Sequence, residues 1–106
     1  MSTQKFRFQI VLLPEGGEWV AQCLNVDVAA QGATIHEARE ALAKALSEHI
    51  VLALHLGEQP FHGLPPAPQG YWERFRVGER LADPDPIFVP PAFMINAMAE
   101  DVRISA

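Results

Sequence analysis

Four carboxylates stand where acids can gather around a metal ion: Asp27, Glu37, Glu40 and Asp85. Paired acids of this kind hold divalent metals in phosphodiester hydrolysis. The pattern argues against that chemistry here. The first strand-like run, residues 5–13, has no acid to stand at the centre of such a set. Glu37 is also placed for a structural task at a helix start, and solvated surface acids are the ordinary case. His36, His49, His55 and His62 form no i,i+4 ligand pair and have no cysteine cluster nearby. His49 falls on an apolar helix stripe, where a packed core histidine is expected. Cys23 is the lone cysteine, mid-strand and without a basic neighbour, so an inert buried thiol is expected. There is no phosphate-cradling glycine loop and no nucleophile elbow. The chain is therefore expected to have no catalytic, metal or cofactor residue and not to be an enzyme.

A second stretch carries recognition chemistry. Tyr71, Trp72, Arg74, Phe75, Arg76 and Arg80 interleave aromatic and basic side chains. Such side chains stack bases or occupy interface centres. They can equally cap a small core while the arginines pair with Glu73 and Glu79. Eight Lys and Arg against thirteen Asp and Glu give a net charge of −5. That sign opposes non-specific attraction to nucleic acid or an anionic membrane and suits a basic partner. A protein–protein contact through Leu54, Tyr71, Trp72, Phe75 and Arg76 is the expectation that follows.

At 106 residues, the chain reads as one domain, 1–106, able to fold on a single core without metal or disulfide. Charge or proline interrupts every apolar stretch well short of a membrane span. No signal-peptide pattern opens the chain, and one cysteine suits a reducing compartment, so a cytoplasmic location is expected.

The elements follow from periodicity. In residues 5–13, Phe6, Phe8, Ile10 and Leu12 alternate with Lys5, Arg7 and Gln9, a half-buried strand. Pro14-Glu15-Gly16-Gly17 is turn chemistry. Glu18 to Leu24 alternates again, with Trp19, Ala21 and Cys23 on one side, and Val26 to Gln31 makes a third strand. The three predict an antiparallel meander. Thr34-x-x-Glu37 is a capping box: the threonine accepts from the first turn and the glutamate reaches back to the Thr34 N–H. Gly32 before it permits a sharp reversal that a Cβ would resist. A helix from Ile35 to about Leu56 follows, with Glu40 and Lys44 spaced to pair across one turn. It spans about 33 Å against strands of about 20 Å, so its last turns, from Ile50 on, project past the sheet. Phe6, Phe8, Ile10, Leu12, Leu42, Leu46 and Ile50 are the expected core.

Eight of nine prolines lie after residue 59. Between their two clusters, residues 69–85 read as an insertion holding a short helix that places Tyr71, Trp72 and Phe75 against the core. Residues 86–90 are extended and fit only an edge. In the tail, 91–106, AFMINAMA reads as helical and DVRIS as strand-like. The overlong helix, its apolar end and the open sheet edges predict a homodimer or higher homo-oligomer, with the tail a possible contact.

The order strand, Gly16-Gly17 turn, Trp19-Val20-Ala21 strand, and Gln31-Gly32-Ala33-Thr34 followed by Glu37-Ala38 resembles the HicB-like antitoxin family of bacterial toxin–antitoxin modules. Leu64-Pro65-Pro66-Ala67-Pro68 looks like the family's proline segment, and Ile87-Phe88-Val89-Pro90 like its next strand. The resemblance covers residues 5–68 well and 84–91 loosely. It implies an α+β fold, a truncated ribonuclease-H-like β-β-β-α-β unit whose antiparallel meander is covered by one long helix. It makes Gly32, Thr34, Glu37 and Ala38 its structural motif. It also implies a partner, a small basic RNase toxin whose active site is covered. The chain departs from the family after Pro90, where about sixteen residues are too few for a helix-turn-helix. Sequence-specific DNA binding unaided is therefore not expected.

Overall fold

The computed structural model describes residues 3–81 and 84–105. The insertion 69–85 and the tail 91–106 thus include Ala82, Asp83 and Ala106, which lie outside the described residues.

Strand β1, Gln4–Glu15, turns into β2, Glu18–Cys23, through Gly16 and Gly17. Their φ values of 58° and 83° make the primed two-residue turn that matches strand twist, and glycine reaches it without strain. Strand β3, Ala29–Gly32, pairs antiparallel with β2, Trp19 opposite Gly32. The meander therefore forms as its alternation requires.

Helix α1, Ile35–His55, follows directly and packs on one sheet face. Ala38, Leu42, Leu46 and Ile50 are fully buried there against Phe8, Ile10, Leu12, Ala21 and Cys23. Phe6 and Trp19 pack against the same cluster at its margin. Phe61, in the return after α1, stacks edge-on against Phe6 and Phe8, at 5.6 Å in both cases.

The chain then crosses to the opposite face. Helix α2, Gln69–Val77, lays Phe75, Tyr71 and Trp72 over Val11, Leu13, Leu24 and Ala67. Val11-Leu12-Leu13 is apolar without a break because β1 is covered on both sides there. The strand is half-buried only over its first half, a correction to the single-face reading. Two short strands follow, β4, Glu79–Arg80, and β5, Asp85–Ile87, then a 3₁₀ turn at Pro91–Phe93.

The stretch read as a tail is the long strand β6, Ile95–Ile104. It lies beside β1 in parallel and carries β4 and β5 antiparallel on its other side. The sheet is mixed and six-stranded, in the order β3-β2-β1-β6-β4, with β5 also on β6. Ala97, Ala99 and Val102 face α1. Ala99 pairs with Phe8 while Asp101 pairs with Gln9, so Glu100 is the extra residue of a bulge. The bulge shifts the alternation by one mid-strand, and the alanines and methionines favour helix. Together they hide β6 in the sequence.

Candidate functional site

The motif residues meet at the β3–α1 junction. Thr34 Oγ1 accepts from the Glu37 N–H at 3.1 Å. The Glu37 carboxylate accepts from the Ala33 N–H at 3.0 Å, one residue earlier than the Thr34 amide expected. Gly32 is required for a reason the sequence did not reveal. Its φ is not in the left-handed region. Instead, a Cβ there would stand 2.4 Å from the Ala38 nitrogen and 2.7 Å from the Glu37 carbonyl carbon. Close approach of helix to strand selects the glycine. At this junction the Thr34 hydroxyl and the Glu37 carboxylate are both engaged in capping α1.

The four carboxylates do not assemble. Asp27 accepts from the Gln22 amide at 2.9 Å, and Glu37 is spent on its cap. Glu40 and Asp85 line one cleft of about 390 Å³ between α1 and β5, floored by Ile10, Ala43, Ile87 and Ala99. Arg39 pairs with Asp85 across its mouth, and His36 meets Glu40 at 2.9 Å. Glu40 therefore pairs with His36, and Lys44 with Glu48 at 3.9 Å, in place of the Glu40–Lys44 pair. Among the described residues, no three His, Cys, Asp or Glu side chains gather as a metal set.

Cys23 is fully buried, and burial pushes its thiol pKa up against weaker opposing backbone hydrogen bonds from Val26, Asn25 and Leu24. A thiol held neutral is a poor nucleophile. His49 is exposed rather than in the core, its ring stacked on Phe61 at 5.6 Å. It lines a groove of about 200 Å³ at the end of α1 with Leu52, Leu56, Phe61 and Leu64.

The recognition residues divide. Phe75 is 6% exposed and belongs to the core under α2, so it is not available to a partner. Tyr71 and Trp72 are half-buried, and Trp72 Nε1 donates to the Ala67 carbonyl at 3.2 Å. Arg76 is exposed, and Leu54 is half-buried against the α1-side core. At the end of α1, Leu52 and Leu56 are exposed, a pair the sequence reading placed only within a projecting end.

The arginines pair differently from expectation. Of Arg74, Arg76 and Arg80, Arg80 alone meets a carboxylate among the described residues, and it is Asp101 at 3.7 Å rather than Glu73 or Glu79; Arg103 meets the same Asp101 at 3.3 Å. Arg74 Nε donates to Ser105 Oγ at 3.2 Å. Arg103 lies over the Phe75 ring, 4.4 Å from its centroid, and donates to the Phe75 and Arg76 carbonyls. Those carbonyls belong to the last turn of α2, where the Phe75 carbonyl also accepts from the Gly78 N–H at 3.1 Å. Arg103 thus closes α2 from the sheet.

No helix among the described residues is long and apolar enough to cross a membrane. Compared with family models, curated proteins and solved structures, the chain matches none.

Proposed function

We propose that the chain is a non-catalytic, HicB-like binding protein that neutralises a small basic RNase by covering its active site. The observation that carries this reading is the β3–α1 junction, where Gly32, Thr34, Glu37 and Ala38 engage as one unit behind a three-strand meander. The return of a later strand, β6, beside β1 supports a truncated ribonuclease-H-like β-β-β-α-β arrangement, with β6 in the place first given to residues 87–90. The exposed acids Glu15, Glu18, Glu58, Glu73 and Glu79 steer such a protein to a basic RNA-binding surface and speed association. Inhibition is then steric, with no step performed by this chain.

Co-expression with the product of an adjacent small basic gene tests the reading. Co-purification and restored growth are expected. Failure of both removes it.

A second reading, a stand-alone homo-oligomer of this fold, is favoured by Leu52 and Leu56. They stand 60% and 63% exposed beside the groove at the end of α1.

A further inference from the structure

The groove at the end of α1 is walled on its far side by the return, residues 58–64, and that wall holds a strained residue. Phe61 sits at φ 65°, in the left-handed region that a bulky side chain avoids. Strain of this kind is kept where the position of a side chain matters. Here it sets one ring to serve two surfaces. Phe61 meets Phe6 and Phe8 edge-on toward the core and stacks on His49 at 5.6 Å toward the groove. The imidazole is the exposed outer member of that aromatic stack.

Leu52 and Leu56 form the rim on the α1 side, two exposed apolar side chains next to a hollow. A protrusion and a hollow on one surface suit an isologous contact, because a two-fold axis sets the same patch against itself. The charges allow it. Among the described residues that line the groove there is no lysine or arginine, and Glu58 is the one carboxylate. His49 and His62 are its other titratable groups. The neighbouring charges are turned elsewhere. Glu48, one turn before Leu52, reaches Lys44 at 3.9 Å, and His55 stands edge-on to Phe93 at 5.5 Å. Beneath Phe61, β1 presents Phe6 and Phe8, while alternation sends Lys5 and Arg7 to the opposite face.

We propose that a second copy covers this groove, Leu52 and Leu56 of each entering the other, and that protonation of His49 and His62 opens the contact. The inference rests on the homo-oligomer reading and adds its regulation. Covering an imidazole disfavours its charged form. The two-fold gathers His49 and His62 from both copies with one Glu58 from each, so two imidazolium ions compete for every carboxylate. In the separate chain, an imidazolium at position 49 stays hydrated and gains a cation–π contact with Phe61. The sign follows from linkage. Association is complete above the range in which imidazoles protonate, about pH 8 to 5, and is lost as pH falls through it.

Sedimentation equilibrium of the full chain at about pH 7.5 and about pH 5.5, at one ionic strength, tests this. The dissociation constant should rise at least about 10-fold at the lower pH, since each excluded proton weakens association by up to about 10-fold per pH unit. His49→Gln with His62→Gln should still associate at about pH 7.5 and lose most of the pH response. Both side chains are exposed, so the fold tolerates the change. His55→Gln should keep the response whole. A monomer at about pH 7.5 removes the homo-oligomer reading and this inference with it. An oligomer whose constant shifts less than about threefold, or a double variant that responds like the wild type, overturns the inference alone.

Discussion

Asn25 completes, with its side chain, a ladder bond that Leu24 leaves unmade to Gln9. The Leu24 N–H donates to the Gln9 carbonyl at 2.9 Å, as an antiparallel neighbour should. Its own carbonyl is turned away to accept from Ala67 at 2.9 Å. Asn25 Oδ1 takes the vacated place, accepting from the Gln9 N–H at 2.7 Å. One residue thus lets the chain leave β2 and bind the crossing segment before α2 without orphaning β1. Asn25→Ala should cost about 1 kcal/mol. Asn25→Asp, which keeps the acceptor, should recover most of it. Thermal melts of the two variants check this, and equal losses would refute the acceptor role.

Gly32 should tolerate no side chain. The atoms a Cβ would meet are two backbone atoms of α1 and the Glu37 Cβ, all fixed by the helix and unable to swing away. Gly32→Ala is expected to destabilise by about 1–3 kcal/mol. Gly70→Ala is its control, since a Cβ there meets nothing within 4 Å. Alanine is the better helix former, so that change should be neutral or stabilising by up to about 1 kcal/mol. Opposite signs in urea unfolding are the expected result.

Arg103 should resist replacement by lysine. Its fork serves Asp101 and two α2 carbonyls while its plane covers Phe75. A lysine keeps the charge and loses the fork and the stacking. Arg103→Met should cost about 2–3 kcal/mol, and Arg103→Lys at least half as much. Faster amide exchange in Phe75–Gly78 than in α1 would locate the loss at the end of α2. Uniform loosening of the whole chain would argue against a local closing role.

Sedimentation of the purified chain at micromolar concentration tests the oligomer. A species larger than 11.7 kDa is expected. Leu52→Glu with Leu56→Glu should return it to monomer without lowering the melting temperature of the fold. A wild-type chain that sediments as a clean monomer removes the oligomer reading.

What could be read from the sequence was the local part. The Phe6–Leu12 alternation, the Gly16-Gly17 turn and the Thr34–Glu37 box each carry their instruction within a few residues. Helix α1 ends at His55, beside the limit its periodicity sets. Long-range determinants were hidden. β6 was obscured by its bulge at Glu100, and the unbroken Val11-Leu12-Leu13 run signals cover on both faces without naming α2 as the element that supplies it. Arg103 meets its Phe75 partner 28 residues away, a pairing that periodicity does not encode. The histidine at 49 was misplaced because the apolar stripe of α1 drifts near its end, leaving that ring on the rim.

The seam between β1 and β6 has a kinetic consequence. Arg7 and Asn96, which bond across it, are 89 residues apart. The hairpin and α1 can form from near neighbours, but this seam must close a very long loop before any of its bonds are gained. Refolding should therefore have a late step in which β1 acquires its second neighbour. Until then, one side of β1 presents unpaired amides and carbonyls along a markedly apolar strand, a template for intermolecular pairing. In this chain, aggregation competes with that last closure, and dilution during refolding should favour the native sheet.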